Sequence, residues 1–358
     1  MVATIRTLAL AALVVSCSVL PAPAPTPSPL PPTQAGDLRT QLDLLLTEHV
    51  MIVAKESAAA VNGSAEYPAY AALISTNEDA LTRAVRGAAG NTTAARFSQA
   101  WRALNSDLVE YAIRIATHDG EKADAATSRL TATTMPQLAE QLAELTLGQA
   151  PPLLVLVTSE VTALRDTIDA AADHHYAAMY VSMASAVSTA ASLGDMLASK
   201  IVLRFPDKFP GDQTASAVVR RVHLNVLTQQ RAYLLTMATD AQVNGRGEEK
   251  AQALGSLSAN LNLIVAEMNS SRSKQAWSDE LSTIQRYAST GDDAARNALT
   301  ENFVSQFVSI TNVSPGIVSN QVNATIKVID DQRSKKLDDV AGDDRAAATS
   351  MAPLADSL

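Results

Sequence analysis

Three side chains that could bind a soft metal ion occur at four-residue intervals near the middle of this 358-residue chain. They are His175, Met179 and Met183, and the spacing places them on one side of a helix. Imidazole and thioether groups together suit copper(I), and His49 could join them if its helix lies alongside. The alternative is ordinary packing, in which the methionines fill gaps in an alanine-rich core and His175 lies on the surface at a helix start.

His49 also has an interpretation that needs no ligand. A single histidine on an apolar helix face is usually a core residue that is held by a hydrogen bond. Glu48 and Glu56 are close in sequence and could pair with it on the same helix. The matching position in the second part of the chain is Arg231, which predicts a polar position at the edge of a bundle.

The rest of the sequence lacks the usual signatures of catalysis. The Glu-x-x-His spacing of di-iron bundles, the H-E-x-x-H zinc motif and the G-x-S-x-G nucleophile elbow are all missing from it. Cys17 is the only cysteine, so the chain can form neither a thiolate metal cage nor an internal disulfide. A net charge of −9 without a basic run argues against nucleic-acid binding. We predict no catalytic residue and no cofactor, apart from copper under the metal-binding alternative.

The first 36 residues predict export and anchoring. Residues 1–16 combine a single arginine with a short apolar run, which is the layout of an export signal. Residues 14–17 resemble the bacterial lipobox, in which the cysteine, here Cys17, becomes the lipidated first residue. Residues 17–36 are rich in proline and predict an extended tether. The predicted location is the outer face of the cell envelope, and the alternative is secretion after cleavage near Ala24.

The two tryptophans mark an internal repeat. Trp101 and Trp277 each end the tripeptide Gln-Ala-Trp and each precede a Tyr-Ala pair by ten positions. Three further matches occur in the same order, namely AVNG with QVNG, TID with VID, and LGDML with LADSL. They predict a first copy over residues 37–201, a linker over 202–216 that contains two prolines, and a second copy over 217–358.

The elements of each copy are predicted to be helices. Apolar side chains recur at three- and four-residue intervals in residues 38–61, and the stripe from Trp101 to Tyr111 repeats that period. The Asn-Gly pairs at 62–63 and 244–245 are expected to end their helices. We interpret the apolar stretch at 153–157 as helical too, because two prolines open it and a helical period follows. The predicted fold is all-α, with two tandem homologous antiparallel helical bundles that are four-helix-bundle-like and have about five to six helices each.

The segments LLTEHV, AALISTNEDAL, FSQAWRALNSDLVEYA and TIDAAADHHYAAMY follow one another along the first copy. In this order they resemble a group of secreted bacterial proteins with tandem helical-bundle repeats, some of which carry a copper amine oxidase name. The resemblance implies that histidines often occupy the positions of His49, Leu104 and Glu160. Only His49 matches here, and the second copy has other residues at these positions, Arg231, Glu280 and Gln321.

Together these features predict a non-enzymatic lipoprotein. It would act as a binding or scaffolding module through its helical surfaces, with the membrane as one partner through the anchor and an unidentified protein as another. The mixed-charge segment 331–345 is interpreted as a solvated helix face or turn. The alternative is an envelope protein that binds a soft metal such as copper through the stripe His175, Met179 and Met183, together with His49.

Overall fold

Twelve α-helices and no strand make up residues 33–358, the part of the chain that this computed structural model describes. Two of the helices contain a π-helical segment, Leu130–Thr134 in α4 and Ala298–Phe303 in α10. The predicted export signal, Cys17 and most of the predicted tether lie outside the described residues. The helices are α1 Gln34–Val61, α2 Tyr67–Ala89, α3 Asn91–Ala116, α4 120–146, α5 Ala150–Ala172, α6 Tyr176–Arg204, α7 Ser216–Val243, α8 Gly247–Met268, α9 Ser271–Thr290, α10 293–311, α11 Pro315–Ser334 and α12 Leu337–Asp356.

The predicted helical state and several predicted boundaries are confirmed. The side-chain oxygen of Thr33 caps α1 by accepting a hydrogen bond from Gly36 N at 3.1 Å. Asn-Gly pairs follow α1 and α7, and their glycines Gly63 and Gly245 have φ of +58° and +72°. The apolar stretch at 153–157 lies inside α5, whose first turn holds the prolines.

The first six helices pack around α1, which contacts α2, α3, α5 and α6. α1 runs antiparallel to α6, because Asp43 lies against Gly194 while Ala35 N donates to Pro210 O at 3.3 Å. The close approach requires a glycine on α6. A Cβ on Gly194 would lie only 3.1 Å from Asp43 Cα.

Among the last six helices α7 has the corresponding place, in contact with α8, α9, α11 and α12. α1 and α7 lie side by side and run parallel, since Thr47 Oγ1 donates to Gln229 Oε1 at 3.2 Å and Lys55 Nζ donates to Thr236 Oγ1 at 2.8 Å. Around this central pair α2 contacts α12, and α6 contacts α8. The chain passes from α6 to α7 through residues 205–215, which fall inside the predicted linker.

Both predicted tryptophan stripes face the core. Trp101 is 1% exposed and Trp277 is fully buried. Burying an aromatic side chain of this size contributes about 5 kcal/mol of transfer free energy. Each stripe ends in a tyrosine with a matching bond, because Tyr111 OH donates to an Asp169 oxygen at 2.6 Å and Tyr287 OH to an Asp330 oxygen at 2.5 Å.

Among the described helices α6 alone is long and apolar enough, by length and composition, to cross a membrane. In this structure it packs against α1 and α5, and its Met179 and Met183 belong to the apolar core. By length and composition alone this is weak evidence for a membrane span, because core helices of folded proteins can have the same composition.

Candidate functional site

The structure does not bring the predicted metal ligands together. Met179 and Met183 are at most 1% exposed and pack inside the apolar core, where they fill space between helices. His175 precedes the first residue of α6 and is exposed to solvent. Within residues 33–358 no group of three or more His, Cys, Asp and Glu side chains is placed to hold a metal ion.

His49 lies far from His175, the only other histidine of the predicted set. Because Asp43 opposes Gly194 and α1 is antiparallel to α6, His49 is level with about residue 188, roughly 20 Å along the helix from His175. Its side chain is fully buried, so the predicted position at the edge of a bundle is wrong.

His49 belongs instead to a buried polar cluster beneath the first tryptophan, formed by His49, Trp101, Asn105 and Glu160 and called here the Trp101 cluster. His49 Nε2 lies 2.9 Å from Asn105 Oδ1, and Nδ1 lies 3.6 Å from Glu160 Oε1. The imidazole centroid is 5.0 Å from that of Trp101. His49 Nδ1, Trp101 Nε1, Asn105 Nδ2 and Glu160 Oε1 all lack a hydrogen-bond partner among the described residues.

A second cluster lies beneath the second tryptophan and consists of Arg231, Trp277, Glu280 and Gln321. The Arg231 guanidinium carbon is 4.5 Å from the Trp277 ring centroid, and its Nη2 donates to Glu280 Oε2 at 2.8 Å. Burial raises the pKa of Glu280, and the nearby guanidinium opposes that shift. In both clusters a basic side chain of the central helix packs on the indole.

Neither cluster is open to a substrate. The side chains of the Trp101 cluster are at most 6% exposed, and those of the second cluster at most 1%. Unsatisfied polar atoms inside a core cost free energy. A molecule from solvent would reach them only if the helices separated, so both clusters belong to the interior of the fold.

The accessible site is a cleft of about 910 Å³ between α1, α2, α7 and α12. This volume lies within the range of small-molecule binding sites, about 300–1,000 Å³. The apolar part of its lining is formed by Leu38, Leu44, Leu45 and Phe209, together with small alanines of α2 and α12.

Charged residues line the same cleft and are mostly paired across it. Arg345 donates to both oxygens of Glu48, at 3.1 and 3.0 Å. Arg221 pairs with Asp37 and also, at 2.8 Å, with Asp356. These bonds tie α1 to α7 and α12, so the walls of the cleft are held at a fixed separation.

Two groups in the cleft have unused bonding capacity. Asn225 is 1% exposed, and its Oδ1 has no hydrogen-bond partner in residues 33–358, although its Nδ2 donates to Asp356 at 2.8 Å. Arg83 on α2 is exposed at the opposite wall and forms no ion pair with a described residue. The Asn225 oxygen is closed to solvent, so the polar group that the cleft offers a ligand is the Arg83 guanidinium beside an apolar surface.

A buried ionic group lies deeper between α1, α7 and α12. Lys55 Nζ pairs with Asp344, which also accepts a hydrogen bond from Tyr70 OH. Lys55 is 6% exposed and Asp344 is 1% exposed. Burial raises the pKa of Tyr70 well above its usual value, and the Asp344 carboxylate adds to this shift. The hydroxyl therefore stays protonated and serves as a donor.

Two glutamates of this region hold their protons unusually tightly. Burial raises the pKa of Glu56 to about 7, and neither of its carboxylate oxygens has a hydrogen-bond partner in the described chain. Burial also raises the pKa of Glu66 to about 7, and the Asp240 carboxylate adds to the shift. The predicted pairing of Glu48 with His49 is not seen, since Glu48 bonds to Arg345.

Sequence reasoning missed the cleft because its walls come from opposite ends of the chain. The prediction that segment 331–345 is a solvated face or turn is wrong at Asp331, Gln332 and Asp344, each of which is 1% exposed. The sequence did hold one signal of these buried groups, namely charged residues at positions that the helical period assigns to the apolar face. A carboxylate on the core face requires a partner, and Lys55 supplies it for Asp344.

Neither a family model, nor a curated protein, nor a solved structure matches this chain. The resemblance to secreted bacterial repeat proteins therefore stays a prediction. The fold and the cleft define an all-α protein with an amphipathic site between helices.

Proposed function

We propose that this protein is a non-enzymatic binding module that holds an amphipathic ligand in the cleft between α1, α2, α7 and α12. The observation that carries the proposal is the cleft of about 910 Å³, in which the apolar side chains of Leu44 and Leu45 lie beside Arg83, an exposed cation that forms no ion pair with a described residue. A ligand would cover this apolar surface and give the guanidinium an anionic partner.

The chemistry of the lining narrows the ligand class. The ligand would have an apolar body that covers Leu44 and Leu45 and an acidic group that reaches Arg83. Non-catalytic binding fits this site because its acids, Glu48, Asp37 and Asp356, are already engaged by arginines. No carboxylate in the cleft is left as a free general base.

The module is proposed to consist of two homologous six-helix bundles, residues 37–201 and 217–358. Several matched features support a duplication: a tryptophan under a basic residue, a Tyr-Asp hydrogen bond, a π-helical segment in the fourth helix and an Asn-Gly turn after the first. The contacts of α2 with α12 and of α6 with α8 are reciprocal between the halves. Such reciprocity is expected when two similar units pack about a two-fold axis.

We also propose that the module is exported and anchored to the cell envelope through a lipidated Cys17, with the proline-rich segment as a tether. Residues 34–36, the end of the predicted tether 17–36, belong to α1 instead. This proposal rests on the sequence of residues 1–17 alone. The alternative function, copper binding by the His/Met stripe, draws no support from the placement of His49, which lies about 20 Å along the helix from His175.

Binding of 1-anilinonaphthalene-8-sulfonate, an aromatic sulfonate with an apolar body and one negative charge, tests the cleft. We expect saturable fluorescence enhancement by the full chain, and we expect Ala352→Trp, which fills the cleft, to abolish it. Ala346→Trp is the matched control, because Ala346 is an exposed alanine of the same helix outside the cleft lining. Arg83→Gln should weaken binding by roughly fivefold, the value of one exposed ionic contact.

The proposal fails if the Ala352→Trp and Ala346→Trp variants bind the probe equally well. It also fails if Arg83→Gln leaves the affinity unchanged while Ala352→Trp reduces it, since the site would then have no preference for a ligand with an acidic group.

A further inference from the structure

Exposed apolar side chains concentrate at one end of the molecule. Five large hydrophobic residues stand out as exposed in residues 33–358, and three of them are Leu147 at 73%, Val155 at 65% and Leu203 at 72%. Of the other two, Val181 lies near the start of α6 at the opposite end, and Leu263 lies on α8 among the last six helices. Single exposed leucines are ordinary, but several at one end need an explanation.

The beginning of α5 strengthens this observation. Residues 150–157 read APPLLVLV, so the helix start is apolar on every side. Leu153 and Val157 face the core, whereas Pro151 and Val155 are exposed. A helix segment that is apolar all round is normally covered all round, by protein or by lipid. In this structure one side is uncovered.

Leu203 lies beside the same turn. The next residue, Arg204, donates from Nη1 to Glu144 O and Leu145 O, each at 2.7 Å, which holds the end of α6 against the end of α4. Leu147 follows directly and turns through a left-handed conformation, with φ of +50°. We name Leu147, Pro151, Val155 and Leu203 the basal patch.

The described chain begins at the same end. Thr33 packs against Gly211, next to the point where Ala35 N bonds to Pro210 O. The preceding chain, which includes Cys17, therefore joins the fold on the side of the basal patch. A membrane that holds a lipid on Cys17 would lie within the length of residues 17–32.

Three cations near the basal patch form no ion pair with a described carboxylate. They are Lys200, Arg204 and Lys208, near the end of α6. The acids of this region are Asp207, Asp212 and Glu144, and Glu144 pairs with Arg96. At the opposite end of the first six helices the turns carry Asp119, Glu121, Asp124, Asp169 and Asp173, together with Arg114 and Lys122, which pair with Asp119.

We infer that the basal patch docks on an anionic lipid bilayer. Exposed leucine and valine side chains would enter the interface while the flanking cations meet lipid phosphates. The opposite end would then point away from the surface. The inference rests on the proposed envelope location and is independent of the cleft.

Site-directed labelling tests the orientation. Full-length protein with Cys17→Ser carries an environment-sensitive fluorophore on Val155→Cys, and a matched protein carries it on Val181→Cys, an equally exposed valine on α6. Both are added to vesicles of phosphatidylcholine with phosphatidylglycerol. We expect a blue shift and quenching by brominated lipid for the label at 155 only.

Equal quenching of both labels, no quenching of either, or no association of the full chain with vesicles would each overturn the inference. A blue shift at 155 that needs no vesicles and grows with protein concentration would assign the patch to contact between two copies, and would also overturn it.

A second set of variants separates docking from simple proximity. In the labelled Val155→Cys protein with vesicles present, replacing Leu147 and Leu203 by glutamine should shift the emission of the fluorophore back to the wavelength seen in water. Val181→Gln, at the exposed valine near the opposite end of α6, should leave it unchanged. If the glutamine pair has no effect, the patch does not hold the protein on the bilayer. Because this readout uses no cleft ligand, its failure would leave the proposed binding function intact.

Discussion

Asp43 and Gly194 meet at the contact between α1 and α6, where the carboxylate of one lies against the bare Cα of the other. Burial raises the pKa of Asp43 to about 9, and the nearby Asp195 carboxylate raises it further while Arg39 lowers it. The carboxyl group is therefore neutral at physiological pH. This allows two helices to approach closely over a polar side chain.

Gly194→Ala should destabilise the protein by roughly 2–3 kcal/mol, since the added methyl group overpacks the helix contact. Gly255→Ala is the matched control, a helical glycine on α8 with no neighbouring atom within 4 Å of the place that the added methyl group would take. It should stabilise by about 0.5–1 kcal/mol, because alanine is the better helix former. Urea denaturation measures both. Similar changes for the two variants would contradict the close packing.

Glu56→Gln should stabilise the protein at pH 8 and have little effect at pH 4. Burial raises the folded-state pKa of Glu56 to about 7, so its contribution to stability is full below the unfolded value of 4.5 and is lost as the pH rises towards 7. Glutamine cannot ionise and avoids this loss, which amounts to at most about 3 kcal/mol.

The measurement is the free energy of unfolding at both pH values. Glu140→Gln, at an exposed position on α4, is the control and should change stability equally at pH 4 and pH 8. If Glu56→Gln behaves like the control, the carboxyl group is not buried in the folded protein.

Lys55→Met should cost about 3–5 kcal/mol, because it leaves Asp344 as a buried charge without its cation. Replacing both partners, with Lys55→Met and Asp344→Leu together, should recover most of that loss. The free energies of unfolding of the two single variants and the double variant, measured by denaturation, form a double-mutant cycle that gives the coupling between the two side chains. If the double variant loses the sum of the single losses, the two side chains are not coupled.

Tyr111→Phe and Tyr287→Phe should each cost roughly 1 kcal/mol, since each removes the hydrogen bond that the hydroxyl donates to a partly exposed aspartate. The loss for Tyr287→Phe should be slightly larger, because the Tyr287 hydroxyl also accepts a hydrogen bond from Arg296 Nη1 at 2.9 Å. Thermal unfolding of the two variants compares them directly. A large loss for one and none for the other would argue against equivalent roles in the two halves.

The sequence predicted secondary structure well because helical periodicity is a local property. The stripe that starts at Trp101 and the Asn-Gly stops at Gly63 and Gly245 depend on neighbours within a few turns, and each is confirmed. The helical state of residues 153–157 is confirmed for the same reason, since two prolines at a first turn mark a helix start.

Contacts between distant segments were not predictable in the same way. The spacing of His175, Met179 and Met183 predicts that they share one face of a helix, but it does not show which neighbouring helix packs on that face. In the structure Met179 and Met183 are buried in the apolar core. The cleft depends on α1 lying parallel to α7, which no local pattern encodes. The partners of Glu48 and Lys55 come from α12 and could be identified only in the folded chain.

The central position of α1 has a mechanical consequence. A pull on residue 33 acts along the axis of α1, which is in contact with α2, α3, α5, α6 and α7. Such a force must slide many side chains past one another at once, including the Lys55–Asp344 pair, and cannot peel the helices apart one by one. A chain held by its N-terminus would therefore resist extension until the helices around α1 unfold together in one cooperative step.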